Sequence, residues 1–174
     1  MHFLIFGAGG VGSVVAAHLT RAGHRVSVIA RPRHVRAIRD GGLRITGQHD
    51  LVAWPEAYSD GAEIHTAEVL LLTTKTGDTQ EALRSVAHVD VGMAASLQNG
   101  VSKDAELATV FGQERVIGGA IAIGARLRAD GVAEQNRNAG CYSASCQAVP
   151  LPGSTPWSKR SETRPSKLWR STTS

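Results

Sequence analysis

The sequence predicts an α/β protein with a doubly wound, mainly parallel β-sheet, followed by an irregular C-terminal tail. Along residues 1–140, short apolar runs typical of buried parallel strands alternate with segments of helical periodicity. The first apolar run, residues 1–6, leads directly into a glycine-rich turn that opens a helix. A chain of 174 residues is long enough to bury such a core without disulfide bonds.

The first half of the chain alternates strands and helices regularly. The helix after the glycine-rich turn has an apolar stripe and ends at Gly23, a residue type that commonly terminates helices. A second strand at residues 25–30 precedes a second helix, which ends at the glycine pair of residues 41–42. Residues 43–47 and 51–55 are expected to form short strands, antiparallel or at the periphery of the sheet.

The second half continues the alternation. In chain order, it is expected to contain a strand at residues 69–74 and a helix at 78–86, then a strand that leads into a turn at 93–100, a helix at 103–111 and a strand at 115–127. Asp78 is expected to be the N-cap of the first of these helices. Glu81 lies three residues later, which is the spacing of a capping box.

The chain changes character near Gly140. Residues 1–140 hold equal numbers of basic and acidic residues, whereas residues 141–174 hold five basic residues and one acidic residue. This segment also has four of the six prolines, and 12 of its 34 residues are Ser or Thr. We therefore expect a domain at residues 1–140 and an irregular, basic Ser/Thr/Pro-rich tail at 141–174. Because the excess charge has no folded face to support it, nucleic-acid binding is not expected.

Several other functional classes are disfavoured. The longest apolar runs are too short to span a bilayer, and the N-terminus enters a strand without a preceding cationic region. These features predict a cytoplasmic protein that does not act at a membrane. Cys141 and Cys146 offer neither a metal quartet nor a disulfide framework, so no metal site is predicted.

The glycine-rich turn matches the pattern G-x-G-x-x-G directly after a strand and at the start of a helix. In this context the pattern indicates a Rossmann-type dinucleotide site, in which backbone N–H groups at the helix N-terminus bind the pyrophosphate. The alternative is an ordinary glycine-rich turn. The candidate cofactor-binding residues of this loop are Gly7, Ala8, Gly9, Gly10, Val11 and Gly12.

The end of the second strand indicates which nucleotide is preferred. NAD-specific sites usually place Asp or Glu there to bind the ribose 2′-hydroxyl, but residues 30–33 read Ala-Arg-Pro-Arg. Arg31 can make a charge-assisted contact with a 2′-phosphate, which favours NADP(H). The alternative is that Arg31 is a solvated surface side chain, and Arg33 is a weaker candidate for the same contact.

Two polar residues follow later strands of the predicted sheet. Lys75 comes after the apolar run at residues 69–72, and Asn99 comes after the strand near residue 97. Ligands of doubly wound sheets bind beyond the carboxyl ends of the strands, where both residues are expected to lie. Lys75 and Asn99 are therefore candidates for binding both the cofactor and an anionic substrate. A solvated lysine and a hairpin turn at Gln-Asn-Gly are the alternatives.

Three stretches of this sequence resemble the ketopantoate reductase (2-dehydropantoate 2-reductase) family. They are FGAGGVGSVVAAHLTRAGHRVSVIAR, the strand ending in TTK, and SLQNGVSKDAEL followed by RVIGGAIAIGARLRADGVAE. The resemblance covers about residues 1–139 in continuous order. It implies NADPH-dependent reduction of 2-dehydropantoate, a small 2-keto acid, to pantoate in pantothenate biosynthesis. It also implies roles for Arg31 at the 2′-phosphate, for Lys75 and Asn99 in the cleft, and for the backbone of Ala125 beside the cofactor.

The same resemblance implies a second, helical domain that supplies the proton-donating lysine, and no such pattern follows residue 140. No catalytic residue is therefore identified, and turnover by this chain alone is not expected. Residues 141–146 can be encoded so that a shifted frame gives Leu-Phe-Gly-Glu-Leu, which fits the family better and suggests a frameshift. A genuinely divergent tail is the alternative. The competing functions are a non-catalytic NADP(H)-binding domain and a nucleotide-sensing domain.

Overall fold

The structure, a computed structural model, describes residues 1–100 and 102–143. In the described residues the strands are β1 (His2–Phe6), β2 (Arg25–Ile29), β3 (Leu43–Gly47), β4 (Leu51–Ala53), β5 (Glu56–Tyr58), β6 (Thr66–Leu72), β7 (Asp90–Ser96), β8 (Val116–Ala129) and β9 (Val132–Ser143). The α-helices are α1 (Gly10–Arg21), α2 (Pro32–Gly41), α3 (Thr79–Val86) and α4 (Lys103–Phe111).

Six of these strands form a parallel sheet in the order β5-β2-β1-β6-β7-β8. The chain first builds outward from β1 to β2 and β5, and then returns to place β6 on the other side of β1. The strand order therefore reverses between β1 and β6, which is the point at which doubly wound sheets bind ligands. The predicted Rossmann-type fold class is confirmed for the described residues.

Alternate side chains of β1 point to opposite faces of this sheet, and both faces are covered. Phe3 and Ile5 pack in one core cluster with apolar residues of α1 and α2, including Val14. Leu4 packs in a second cluster with residues of α3 and α4, including Leu107. A strand that buries both faces reads as a continuous apolar run, which explains the pattern at residues 1–6.

The sheet continues beyond the six parallel strands because β8 is long. Residues 116–118 of β8 pair with β7 in parallel, and the rest of β8 pairs with β9 in antiparallel fashion. The outer side of β9 pairs with β3, which forms an antiparallel pair with β4. The nine strands of the described residues thus form one continuous sheet, with β3 and β4 at its periphery as predicted.

Two strands were not predicted, several strand ends differ from those predicted, and the N-cap predicted at Asp78 is correct in position but makes no capping hydrogen bond. The short strand β5 and the polar strand β9 lack the apolar runs expected of buried strands. β6 ends at Leu72 rather than at residue 74. Asp78 occupies the N-cap position of α3, but its side chain makes no capping hydrogen bond. Its backbone (φ −100°, ψ 2°) belongs to a preceding 3-10 turn rather than to the extended conformation that presents a capping side chain.

The boundary expected near Gly140 falls within β9, which runs to Ser143. Residues 144–174 lie outside the described residues, so the irregular tail and the domain boundary stay predictions. Within the described part of the chain, no helix has the length and apolar character needed to cross a bilayer.

Candidate functional site

The glycine loop (residues 7–12) lies between the end of β1 and the first turn of α1. The backbone N–H of Gly7 donates to the Ile29 carbonyl oxygen at 3.0 Å, which joins the loop to the end of β2. Gly7 has φ +102°, a conformation that favours glycine. The first turn of α1 has no acidic residue. Its leading N–H groups, which have no intrahelical acceptors, therefore face no competing carboxylate within that turn.

Three of the loop glycines are required by the protein itself. A Cβ atom on Gly7 would lie 2.7 Å from Cγ2 of Thr74, in the loop after β6. A Cβ atom on Gly10 would lie 2.6 Å from the Cα atom of Arg126 in β8, and one on Gly12 would collide with the carbonyl oxygen of Gly7. The absence of side chains at these positions lets α1 approach the sheet closely.

Gly9 differs from these three residues. It is exposed, it has an ordinary φ of −75°, and among the described residues no atom outside its immediate chain neighbours lies within 4 Å of the position of its Cβ. Neither packing nor backbone conformation therefore requires glycine here. Open space beside the N-terminus of a helix is the cradle that a pyrophosphate group needs, so the loop fits a dinucleotide.

Thr73 anchors this loop from the other side of the strand-order reversal. Its hydroxyl lies 2.7 Å from the carbonyl oxygen of Gly7 and 3.1 Å from that of Phe6, and it donates to these carbonyls. Thr73 was not among the predicted site residues. The available signal was a pair of threonines directly after an apolar run, in a place where parallel strands end.

A second polar cluster, also not predicted, surrounds Gln98. This side chain is 8% exposed, and its amide contacts the hydroxyl groups of Thr74, Thr79 and Ser96 at 2.9–3.3 Å. The cluster connects the end of β7 with the loop after β6 and the start of α3. Its sequence signal was the position of Gln98 directly before Asn99.

Lys75 and Asn99 are both exposed and lie on these two neighbouring loops. Lys75 follows Thr74, and Asn99 follows Gln98, so each is adjacent to a member of the hydrogen-bonded cluster. The segment after Asn99 leads into α4 and not into a second strand of a hairpin. The two residues therefore share the edge of the sheet on which the sequence analysis expected them.

Arg31 is the N-cap residue of α2, directly beyond β2, and its side chain is exposed. This places it at the same sheet edge as the glycine loop, whose Gly7 and Ala8 N–H groups bond the last residue of β2. Arg33 lies on the first turn of α2 and forms an ion pair of 3.8 Å with Asp130. The Arg33 side chain is thus already paired with a protein carboxylate.

The buried His34 links the turn at Gly131 to the glycine loop through Ser13. His34 Nδ1 accepts a hydrogen bond of 2.9 Å from the Gly131 N–H, so the neutral ring carries its proton on Nε2 and donates to Ser13 Oγ at 3.4 Å. Ser13 in turn donates to the carbonyl oxygen of Ala8 at 3.1 Å. Burial lowers the pKa of His34 below its ordinary value, which favours this neutral form.

Ala125 lies on β8 next to the first turn of α1. A Cβ atom on Gly10 would lie 2.7 Å from the carbonyl carbon and oxygen of Ala125. The backbone of Ala125 thus adjoins the glycine loop. Among the described residues, no group of three or more His, Cys, Asp and Glu side chains is arranged to hold a metal ion.

Comparisons with known proteins identify the family of this chain. The family model described as ketopantoate reductase PanE/ApbA matches residues 3–146. The chain belongs to this family. The match includes the glycine loop, the two loops that carry Lys75 and Asn99, and the whole of β8 and β9.

Curated relatives and solved structures of ketopantoate reductases extend this result. The 2-dehydropantoate 2-reductase of Pyrococcus abyssi is 37% identical over 133 residues, which cover 76% of this chain and 43% of the relative. That of Archaeoglobus fulgidus is 35% identical and covers 71% and 40%, respectively. The PanE/ApbA family ketopantoate reductase from Ralstonia eutropha JMP134 superimposes with a TM-score of 0.78 at 32% identity, covering 82% of this chain and 49% of that structure. The chain thus spans less than half the length of these three relatives.

Proposed function

We propose that this chain is the NADP(H)-binding part of a reductase that converts 2-dehydropantoate to pantoate. The observation that carries the proposal is Gly9, a glycine that neither packing nor backbone conformation requires. It lies where a pyrophosphate would approach the N-terminus of α1. Membership of the ketopantoate reductase family supports the reaction and the substrate class.

The preference for NADPH over NADH rests on Arg31. It follows β2 at the position where NAD-specific sites carry a carboxylate, and its side chain is exposed at the sheet edge that also carries the glycine loop. A 2′-phosphate in this place would gain a charge-assisted contact and meet no carboxylate from residues 30–33.

Lys75 and Asn99 are proposed to bind at the nicotinamide end of the cofactor and to orient the keto acid. Their loops follow the neighbouring strands β6 and β7 on one side of the strand-order reversal, and a lysine there offers a charge for a substrate carboxylate or a cofactor phosphate. Asn99 offers both a donor and an acceptor. NADPH, when bound, supplies the hydride, whereas these side chains contribute proximity and electrostatic complementarity. The backbone of Ala125 is proposed to adjoin the cofactor.

The acid that protonates the ketone oxygen is proposed, from the family resemblance, to be a lysine outside residues 1–140. These residues are proposed to form the nucleotide-binding domain. Under this proposal the chain binds NADPH by itself, while reduction depends on groups that orient and protonate the keto acid. A positioned acid typically contributes about 10²–10⁴-fold to such a rate.

The test is a titration of the purified chain with NADPH and NADH, followed by an assay with 2-dehydropantoate. We expect saturable NADPH binding that is tighter than NADH binding. Failure to bind either nucleotide would overturn the proposed function, and equal or tighter NADH binding would overturn the NADPH preference. Binding without turnover, restored when the C-terminal half of a family member is fused after residue 140, would support the division of roles. Binding that no such fusion converts into turnover would favour a non-catalytic nucleotide-binding or sensing domain.

A further inference from the structure

The amide of Gln98 uses its hydrogen-bonding capacity inside the protein. Its Nε2 atom donates to the hydroxyl oxygens of Thr74 and Thr79 at 3.0 and 2.9 Å. Its Oε1 atom accepts from the Ser96 hydroxyl at 3.1 Å and contacts the Thr79 hydroxyl at 3.3 Å. Both N–H donors and the oxygen of this 8%-exposed side chain therefore have partners.

This cluster is costly to disturb, because a buried polar group that loses its partner keeps the full cost of its desolvation. An apolar residue in place of Gln98 would leave the hydroxyls of Thr74 and Ser96 without these bonds. The amide is thus suited to hold the two loops in one relative position.

The residues that Gln98 joins stand next to the proposed ligand-binding residues. Thr74 immediately precedes Lys75, and Gln98 itself immediately precedes Asn99. On the far side of the Asn99 loop, the Lys103 ammonium group donates to the carbonyl oxygens of Ser96 and Gly119 at 2.9 and 2.5 Å. The Asn99 loop is therefore anchored at both ends, and the Gln98–Thr74 hydrogen bond connects it to the Lys75 loop.

We propose that Gln98 is a positioning residue that sets the spacing between Lys75 and Asn99 through its hydrogen bond to Thr74. Gln98 does not itself touch the ligand. It presents the lysine and the asparagine at the separation that NADPH requires at the strand-order reversal. This inference rests on the proposed function, since it assigns Lys75 and Asn99 to nucleotide binding.

The first test measures the connection without any ligand. Amide hydrogen exchange is compared between the wild type and Gln98→Met, a substitution of similar length that removes the polar atoms. We expect exchange at least tenfold faster in both loops, with α1 and β1 unchanged. Gln80→Met, at an exposed position of α3, is the matched control and should change neither loop. Unchanged exchange in either loop of Gln98→Met would overturn the proposal, whatever the nucleotide affinity of the chain.

The second test is a double-mutant cycle on the NADPH dissociation constant. Lys75→Ala is expected to weaken binding at least fivefold in the wild type but less than twofold in the Gln98→Met background, because Lys75 is already displaced there. A merely structural role of Gln98 predicts equal factors in the two backgrounds, and this result would overturn the proposal. Wild-type affinity in Lys75→Ala would overturn it as well.

The hydroxyl of Thr74 provides a rescue experiment. Thr74→Val keeps the shape and removes the acceptor for Gln98, whereas Thr74→Ser keeps the acceptor. We expect Thr74→Val to reproduce the loss of affinity seen in Gln98→Met. Thr74→Ser should retain most of the wild-type affinity. Equal affinities in the two variants would contradict the role of this hydrogen bond. If the wild type binds no NADPH but Gln98→Met still exchanges faster in both loops, the proposed function is refuted and only a structural connection between the loops remains.

Discussion

The hydroxyl of Thr73 lies 2.7 Å from the carbonyl oxygen of Gly7, and the bond between them joins the loop after β6 to the loop after β1. These loops flank the strand-order reversal. The same Gly7 has a positive φ angle and leaves no room for a side chain against Thr74. The shape of the glycine loop is therefore set by a distant segment of the chain as well as by its own glycines.

Replacing Thr73 by valine should lower both stability and NADPH affinity. Thr73→Val keeps the size of the side chain but removes the donor to Gly7, and the loss of one such bond costs about 1 kcal/mol of unfolding free energy. Urea denaturation and a nucleotide titration measure the two effects. Thr73→Ser retains the donor and serves as the control. A Thr73→Val protein with wild-type values in both measurements would contradict the anchoring role.

Alanine at Gly9 should impair nucleotide binding, whereas alanine at Gly10 should lower stability. Gly9→Ala meets open space, so we expect stability within about 0.5 kcal/mol of the wild type, as at other surface positions, and at least tenfold weaker NADPH binding. Gly10→Ala meets the backbone of Arg126 and should lower the free energy of unfolding by about 1–3 kcal/mol through overpacking.

Thermal denaturation and fluorescence titration separate these two outcomes. Gly41→Ala, whose Cβ also meets open space at the end of α2, is the matched control for Gly9→Ala and should leave both quantities unchanged. Undiminished NADPH binding by Gly9→Ala would remove the main support for the pyrophosphate cradle.

Replacing Arg31 by alanine should affect the two nucleotides differently. The contact with the 2′-phosphate is a charged hydrogen bond, so its loss is expected to weaken NADPH binding by about 1.5–3 kcal/mol and to leave NADH binding nearly unchanged. Dissociation constants for both nucleotides provide the measurement. Arg36→Ala, at another exposed arginine of α2, is the control. A similar loss for both nucleotides would show that Arg31 does not recognise the 2′-phosphate.

The stability of the chain should fall as the pH decreases below 6.5. Burial lowers the pKa of His34 and of His18 from the ordinary value of 6.5, so both rings stay neutral in the folded chain at pH values where the unfolded chain binds protons. Their contribution is fully present above pH 6.5 and is lost as the pH falls through their lowered folded pKa values. The linkage slope is at most about 1.4 kcal/mol per pH unit for each histidine.

Urea denaturation between pH 5 and pH 8 measures this slope. His34→Asn keeps an acceptor for the Gly131 N–H and removes the titrating ring, so its slope should be smaller than that of the wild type. Gln80→Met, at an exposed position without a titrating group, should leave the slope unchanged. An unfolding free energy that is constant from pH 7 to pH 5.5 would contradict the prediction.

Helices and strands that are marked by a pattern within their own residues could be predicted from the sequence. β1, α1 and β2 carry their own apolar periodicity and a glycine at the helix end, so their bounds were nearly correct. β5 is only three residues long and includes the exposed Glu56, so no periodicity marks it. β9 points a polar residue, Gln135, into the interior, where its Oε1 atom lies 3.1 Å from Nε2 of His18. Because its hydrogen-bond partner lies 117 positions away, nothing in the neighbouring sequence marks Gln135 as a buried residue.

The same distinction applies to the candidate site. The glycine loop could be selected because its pattern lies in consecutive residues at a helix N-terminus, where a phosphate is proposed to bind. The roles of Thr73, Gln98 and His34 depend on partners from other elements, and only the fold brings these partners into contact. Lys75 and Asn99 could be selected because strand ends share one edge of a parallel sheet, but the cluster beneath them could not.

The close contact between Gly10 and the backbone of β8 has a consequence for the size of the smallest self-sufficient fragment. A fragment ending at Gly118 would contain all the parallel pairings of the six-stranded sheet. It would nevertheless lack Ala125 and Arg126, against which the start of α1 packs, and the turn at Gly131 that binds His34. The smallest fragment that keeps these contacts is therefore larger than the parallel sheet, and it includes the antiparallel ribbon of β8 and β9.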